Sequence, residues 1–545
     1  MEANMKDNDK SKFIKKESRR NGANGKAAGN KRPPRKRTNT NNCDLDNTNR
    51  DNDPNWYFSS ADIAKQVSSI SFDQYIGVSS DVRGVTATVN GSGKSLSFDT
   101  PSIMVLGANP SPGSGNKQTD GINLAMLKLY SQLSAQNAKT TSYAPQDLCM
   151  LVLQLGEVIS IMEHIRRAFG VAFTYSYRNR TLPREILSAM GFDPDDFLEN
   201  LADHRIKFNT WVTAINRVPF ISNLTYFYKC ADIYQKVYTD STSEMAQIII
   251  MKPYSTWIVN EAYDSNGSGL VTTMLPASFA SAGNTWSDWV TIVEQMIESL
   301  FSSATYNYIY SDILNFSAKQ GVKLFYLDYW LEGYSVVPEY NENFLLQVHN
   351  VTITNEPYTP VQSGKGHVLN DVRCDADKNM IAYSPYFKVD AVSAVTLVQT
   401  VVDFNNPNPS TEDIIEATRY TSVLSTVVGQ DTNTSKTLYR GAFTLPDHYI
   451  VRVSVKAGDD VVSTNSSVIS YGTATNKTSF ASWFRRITSV MSMIDWAPVL
   501  LSTNAEDPND KKLYVHGDMN YYVVLNMGWF SRVNDLVFLS LFELR

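Results

Sequence analysis

The rhythm of apolar and polar positions changes several times along the 545 residues. Before residue 54 there is almost no apolar pattern to read. From Trp56-Tyr57-Phe58 onward apolar residues recur, first at the three-to-four-residue spacing of a helix in a short run that starts at Ser60-Ala61-Asp62 and extends to Ile70. The same spacing predicts helices over Gly121–Gln136, Pro145–Gly170, Pro183–Met190, Asp195–Val218, Phe220–Tyr238, Ser287–Phe301 and Tyr306–Gln320. Pro145 stands where a first-turn proline is tolerated, and Gly170 reads as the stop of that helix. Its middle is apolar on every side, which places it at the centre of a core rather than on a surface.

Strand-like material lies between the helices. Val85–Val89 and Ser95–Phe98 alternate on either side of Asn90-Gly91-Ser92-Gly93, a β-hairpin signal, and a Pro/Gly/Ser loop at Asn109–Asn116 follows. Short β-branched runs fill residues 247 to 275 and again about 344 to 472, among them Ile248–Ile250, Leu346–Ile353 and Tyr449–Val455. Helical spacing returns at Ser479–Met493 and Asn534–Leu544. The expected fold class is therefore an α-rich α+β one: a largely helical body, built from residues 54–330 and 476–545, closing around a central mixed or β segment, 331–475, that forms a separate projecting domain. Residues 1–53 form an arm.

Charge separates the arm from the body. The chain as a whole carries 49 basic and 55 acidic residues, net −6, which argues weakly against a polyanionic partner. Residues 1–37 reverse that sign. They hold thirteen cations, Lys6, Lys10, Lys12, Lys15, Lys16, Arg19, Arg20, Lys26, Lys31, Arg32, Arg35, Lys36 and Arg37, against four acids, net +9, which leaves the rest at net −15. Such asymmetry points to phosphate contact, because each cation set on a phosphate releases condensed counterions. With Phe13 as the one aromatic before residue 54, eleven Asn, and Gly22, Gly25, Gly29, Pro33 and Pro34 breaking any helical run, the arm lacks the apolar surface needed to offset chain entropy. A nuclear-import address around Lys31–Arg37 or a solubilising tail are the alternatives that charge alone leaves open.

The N-terminus shows no apolar signal-peptide core, so a cytosolic protein is expected. Leu148–Met162 is interrupted by Gln154 and Glu157 and reads as a buried helix rather than a membrane span. Cys43, Cys149, Cys230 and Cys374 lie far apart without a CxxC pair and are expected as reduced thiols.

Searches for chemistry return structural explanations. Asn90–Ser95 imitates a phosphate loop, but Thr88 stands where the first glycine is required. Asp193-Pro194-Asp195-Asp196 reads as a helix cap, a first-turn proline and two dipole-complementing acids rather than a metal site. His367, Asp371, Cys374, Asp375 and Asp377 include metal-ligand types in no recognised spacing and read as a solvated loop. Glu163-His164 beside Arg166-Arg167 reads as dipole-compensating, partner-facing groups rather than an acid-base pair. No catalytic residue, metal ligand, cofactor or small-molecule substrate is expected.

A resemblance adds to this reading. Ala144-Pro145-Gln146-Asp147-Leu148 through Gly156-Glu157-Val158-Ile159, then Arg166-Arg167-Ala168-Phe169-Gly170, Tyr177-Arg178-Asn179-Arg180, Pro183 and Ala189-Met190-Gly191-Phe192-Asp193, resemble the picobirnavirus capsid protein family. The clear likeness covers about residues 140–240; the basic Asn-rich arm, the aromatic body and the C-terminal helices share its layout. The resemblance implies a helical shell domain with a projecting domain, homodimers assembled into an icosahedral shell around a double-stranded RNA genome, and a place in the virion after assembly in the host cytoplasm. It also implies self-processing of the arm in part of the family and transient contact of particles with host membranes, with no cleavage residue matched here.

A chain with 24 Phe, 29 Tyr and 9 Trp, all but Phe13 in its acidic body, and no assembled catalytic constellation suits repeated large interfaces. The expected function is that of a structural protein whose partners are copies of itself and RNA bound without sequence preference. A non-assembling RNA-binding nucleoprotein and a nucleic-acid-processing enzyme are the competing classes.

Overall fold

The computed structural model describes residues 60–69, 80–89, 92–98, 101–113, 115, 117–136, 142–173, 182–243, 246–265, 267–275, 284–351, 353–354, 371–383, 386–388, 399–427, 435–440, 443–444, 449–454, 466–470, 493–498, 500–503 and 513–544. The chain falls into two compact units, residues 1–73 and 74–545. In the first, Ser60 caps the helix Ala61–Ser68, its hydroxyl accepting from the Ile63 amide at 3.3 Å. The thirteen cations of the arm lie outside the described residues, as does the helix expected at Ser479–Met493, whose last residue alone is described.

The second unit is organised by the helix Pro145–Ala172, which we call the central helix. Helices Gly121–Ala135, Leu182–Ala189, Thr225–Gln235 and Ala304–Gln320 pack on it, and strands of two sheets close the remaining sides. Leu148, Leu151, Leu153, Val158, Ile159, Ile165 and Phe169 are fully buried although they point in every direction around the axis. By length and composition this helix could cross a membrane; here its apolar stretch is wholly enclosed by protein. It does not stop at Gly170 as expected, but continues to Ala172. Gly170 answers a packing need instead: a Cβ there would lie 2.5 Å from Val336 Cγ2 and 2.8 Å from the Tyr334 ring.

The remaining helices follow the sequence pattern, with one correction of kind. Asp195–Val218 is divided into Pro194–Glu199 and Leu201–Ile215, and Trp286–Ser302 and Met527–Leu541 match the expected positions within a turn or two. Of Leu346–Ile353, expected as a strand, Leu346–His349 are instead the end of the helix Glu342–His349, while Ile353 does open a short strand, Ile353–Thr354. Asn341 caps that helix at the Phe344 amide, 3.0 Å, and Phe344, Leu345 and Val348 bury one helical face, so cap and packing override the β-branched composition.

The strands assemble into mixed sheets. The largest runs in the order Ser466–Ser470, Tyr449–Ser454, Pro101–Gly107, Ile248–Lys252, Tyr238–Thr239, Glu339–Tyr340, with parallel pairs at 101–107/248–252 and 238–239/339–340. A second, antiparallel, is Met380–Ala382, Val372–Asp375, Gly267–Met274, Ser255–Asp264. The expected hairpin is present as Ser80–Val89 paired antiparallel with Ser92–Phe98, so Ser92–Ser95 of the phosphate-loop imitation lie in a strand, while Asn90 and Gly91 lie outside the described residues. Several strands of the segment 331–475 pair outside it: Val372–Asp375 with Gly267–Met274, Gln399–Asp403 with Tyr522–Asn526, and Tyr449–Ser454 with Pro101–Gly107. One sheet, Tyr386–Lys388, Ser435–Arg440, Ser422–Val427, is drawn wholly from within it.

Candidate assembly frame and surface

Polar side chains buried along the central helix tie its neighbours to it. Glu157 accepts from the Trp257 amide at 2.5 Å and from Asn109 Nδ2 at 3.1 Å, while Asn109 Nδ2 also donates to the Ser255 carbonyl and its Oδ1 accepts from the Tyr254 amide. Burial outweighs these bonds and pushes the Glu157 carboxyl up to about 8, so it is held neutral at neutral pH. One turn earlier, Gln154 donates to Ser299 Oγ at 2.6 Å and accepts from the Tyr306 hydroxyl at 3.0 Å. One turn later, Ser160 donates to the Cys230 carbonyl, where Gly156 lets the Tyr226 ring come so close that a Cβ would lie 2.6 Å from it.

His164 and Arg167 are fully buried, which corrects the reading of them as partner-facing. His164 Nδ1 accepts from Arg167 Nη2 at 2.8 Å, so Nε2 carries the proton donated to the Met190 carbonyl at 3.1 Å. Burial, then the charges of Arg167 and Lys252, hold this histidine well below its usual range. Arg167 also donates to the carbonyls of Lys236 and Met251, clamping the end of a helix and a strand of the large sheet onto the central helix. Glu163 is buried beside Arg166; burial raises its carboxyl to about 7 against the pull of that guanidinium. Arg166 lies over the Tyr334 ring at 4.7 Å and also faces Asp328. These are structural clamps with no substrate-accessible nucleophile among them.

The acidic candidates resolve in the same way. Asp193 accepts from the amides of Asp195 and Asp196 as a cap, as expected. The group at 371–377 is a β-hairpin and not a solvated loop: Asp371 is buried, accepting from Tyr263 Oη at 2.9 Å and the Thr272 amide at 2.7 Å, Cys374 is buried, and Asp375 pairs with Lys378. Pairing with Gly267–Met274 draws these polar residues inward. His367 lies outside the described residues. Among the described residues no group of three or more His, Cys, Asp or Glu could hold a metal ion, and Cys149, Cys230 and Cys374 are free thiols.

Sequence reasoning missed Asp403, the acceptor around which the C-terminal strand is hung. Its buried carboxylate takes the amides of Asn520, Tyr521 and Asn405 at 2.7, 2.9 and 3.0 Å and faces His349 Nε2 at 3.3 Å. Burial works to raise this carboxyl, but the histidine and the three amides together hold it far below the usual carboxylate range. Asn350 seals the arrangement by pairing with both backbone groups of Asp403. A lone Asp in an alternating run carries no spacing signal, so nothing local could have revealed it.

Large apolar side chains are exposed at many positions among the described residues, and two segments hold several of them close together in sequence. The irregular segment 322–338 exposes Tyr326, Tyr329, Leu331 and Val337, and the C-terminal strand exposes Tyr521, Tyr522, Val523 and Val524. Singly these would mean little; together they are the marks of association surfaces.

Among the described residues, buried polar groups fix the elements of a mixed α+β fold and apolar side chains are left on the surface, as in a structural protein. The capsid protein family of picobirnaviruses matches residues 56–503, and the chain belongs to it. The capsid protein precursor of human picobirnavirus (strain Human/Thailand/Hy005102/-) is 22% identical over 511 residues, 90% of this chain and 91% of its own. The solved X-ray structure of a picobirnavirus capsid superposes with a TM-score of 0.71 over 90% of this chain and 98% of its own, at 18% identity. That likeness shows a shared fold. The role of the chain is that of a structural capsid protein, a component of a virion.

Proposed function

We propose that this capsid protein pairs as a symmetric homodimer, that dimers close into an icosahedral shell in the host cytoplasm, and that the shell holds double-stranded RNA through the basic arm. The apolar side chains left exposed on the segments 322–338 and 521–524 carry the first part of the reading, since identical copies that meet through such surfaces close by symmetry. The arm carries the second: thirteen cations with one aromatic offer phosphate contact without stacking platforms or a groove-reading helix, so RNA is bound without sequence preference. The projecting part lies within 331–475. The sheet 386–388, 422–427 and 435–440, which is made wholly from that segment, supports it, while the strands 372–375, 399–403 and 449–454 anchor the segment to the body. Self-processing of the arm and transient membrane contact belong to the same reading, with no residue assigned to either.

Electron microscopy of purified full-length protein tests it. Closed shells of uniform diameter are expected, and discrete monomers at every concentration would overturn assembly. Replacing Lys31, Arg32, Arg35, Lys36 and Arg37 with Gln should leave shells intact and lower the RNA they contain. Unchanged RNA content would return the basic run to an import signal.

A further inference from the structure

The strand Tyr522–Asn526 pairs on one side with Gln399–Asp403 in a two-stranded sheet, and its other edge has no partner among the described residues. Natural proteins protect such edges with charge, proline or a bulge. Here the run Tyr521-Tyr522-Val523-Val524-Leu525-Asn526-Met527-Gly528-Trp529 contains no charged residue and no proline, and its five-residue pairing with 399–403 is unbroken. Successive strand residues point to opposite faces, yet Tyr521, Tyr522, Val523 and Val524 are all about half exposed, 47% to 59%. At Tyr522, Val523 and Val524 this strand is therefore exposed on both of its faces. The strand is also held stiffly in this position, because the Asn520 and Tyr521 amides end on the buried Asp403 carboxylate.

We infer that this edge is where two copies of the chain join, the strand 522–526 of one pairing antiparallel with the same strand of the other. The inference rests on the self-assembly proposed above and names the surface that performs it. A second copy is the occupant that fits. An antiparallel pairing centred on Val524 sets 522 opposite 526 and is its own mirror in a two-fold axis, so the contact closes with two copies. Because the strand is uncharged, two identical edges meet without repulsion. The four residues and Trp529 present on the order of 500 Å2 per copy, taking ~150–250 Å2 for a whole aromatic side chain. If all of it were covered, two copies would bury on the order of 1,000 Å2, the least a biological interface needs, before any other contact is added.

The test uses full-length protein in a Cys43→Ser background, with Val524→Lys and Val524→Cys added separately. Native mass spectrometry should show wild-type dimers, at least a tenfold weaker dimer for Val524→Lys, and an unchanged thermal midpoint for its monomer. Glutathione disulfide should convert Val524→Cys into a covalent dimer on a non-reducing gel, two thiols being oxidised as the glutathione is reduced, while the background protein stays uncrosslinked. Dimerisation of Val524→Lys as tight as wild type together with no crosslink would overturn the inference while leaving assembly intact. A lowered midpoint for the Val524→Lys monomer would overturn it differently, by showing the strand to be covered within its own chain. A wild-type protein that neither dimerises nor forms shells would instead remove the assembly reading itself, and this edge pairing with it.

Discussion

The central helix and the C-terminal strand use similar residues to opposite ends. Along Pro145–Ala172 even Gln154, Glu157, His164 and Arg167 are enclosed, each bonded to another element. Along Tyr522–Asn526 even tyrosine and valine face solvent. Hydrophobicity alone therefore does not say where a residue sits; the number of elements that converge on it does. The helix is surrounded by its own chain, so its polar groups must find partners there. The strand has one neighbour, and its apolar groups are left for another molecule. One region stabilises the subunit and the other is available to join subunits, and substitutions should separate the two effects.

The largest effect should follow from breaking the enclosed region. Leu153→Asp would place an unpaired carboxylate at a fully buried site and cost several kcal/mol, enough to abolish a marginally stable fold. Soluble yield and circular dichroism would measure it; a soluble, cooperatively melting Leu153→Asp protein would show that this face is not core. Next comes Asp403→Ala, which strands three backbone amides and His349 at once. At ~1 kcal/mol or more for each lost bond, a loss of about 3 kcal/mol is expected. Hydrogen exchange should become fast at Asn520 and Tyr521 before the rest of the unit opens. If their protection survived, Asp403 would not be what hangs the strand.

Much of this division was legible beforehand. Apolar residues all round Leu148–Met162 announced the core helix, Asp193-Pro194 announced a cap, and the alternation on either side of Asn90–Gly93 announced a hairpin, because each of those signals is local. Gly170 misled since a glycine that permits close approach looks in sequence like one that ends a helix. Glu342–His349 misled for the converse reason: its Gln, Val and His mimic alternation, and only the Asn341 cap and the Tyr238 ring stacked on Phe344, with centroids 3.6 Å apart, decide for helix. Asp403 and the bare edge at Val524 were beyond reach, because their meaning lies in partners more than a hundred residues away. The family resemblance seen around residues 140–240 proved to extend over most of the chain.

A smaller and pH-dependent effect should come from Glu157. An acid whose folded-state value is raised to about 8 takes up a proton on folding at neutral pH, so stability is full below the ordinary glutamate range and falls as pH rises towards about 8. Glu163, raised to about 7, adds to the same slope. The thermal midpoint should therefore drop between pH 5 and 8, corresponding to about a few kcal/mol, and Glu157→Gln should flatten that decline while lowering the midpoint at pH 5. A Glu157→Gln protein with the wild-type slope would place the titration elsewhere.

The smallest effect on folding, and the sharpest separation, is expected within the segment 322–338, where neighbours take opposite parts. Its backbone is pinned by side chains of the helix Leu201–Ile215 and the turn that follows: the Trp330 amide donates to Asn209 Oδ1 at 2.9 Å and the Leu327 amide to Asn216 Oδ1 at 2.8 Å. Trp330 then turns inward and stacks on Phe169 of the central helix, centroids 4.1 Å apart, while Leu331 turns outward and is 70% exposed. Trp330→Ala removes a buried aromatic and should cost about 3–5 kcal/mol. Leu331→Ser, one residue on, should change folding stability by no more than about 0.5 kcal/mol, because a side chain already in water forfeits little burial. If Leu331 belongs to a surface that meets another copy, its effect appears elsewhere: the protein concentration needed to form particles should rise, read by light scattering on protein of unchanged melting behaviour. A Leu331→Ser protein that melts several degrees lower would show this leucine to be covered by its own chain. One that melts and assembles as wild type would remove the segment from the assembly surface and leave the C-terminal strand as the candidate contact.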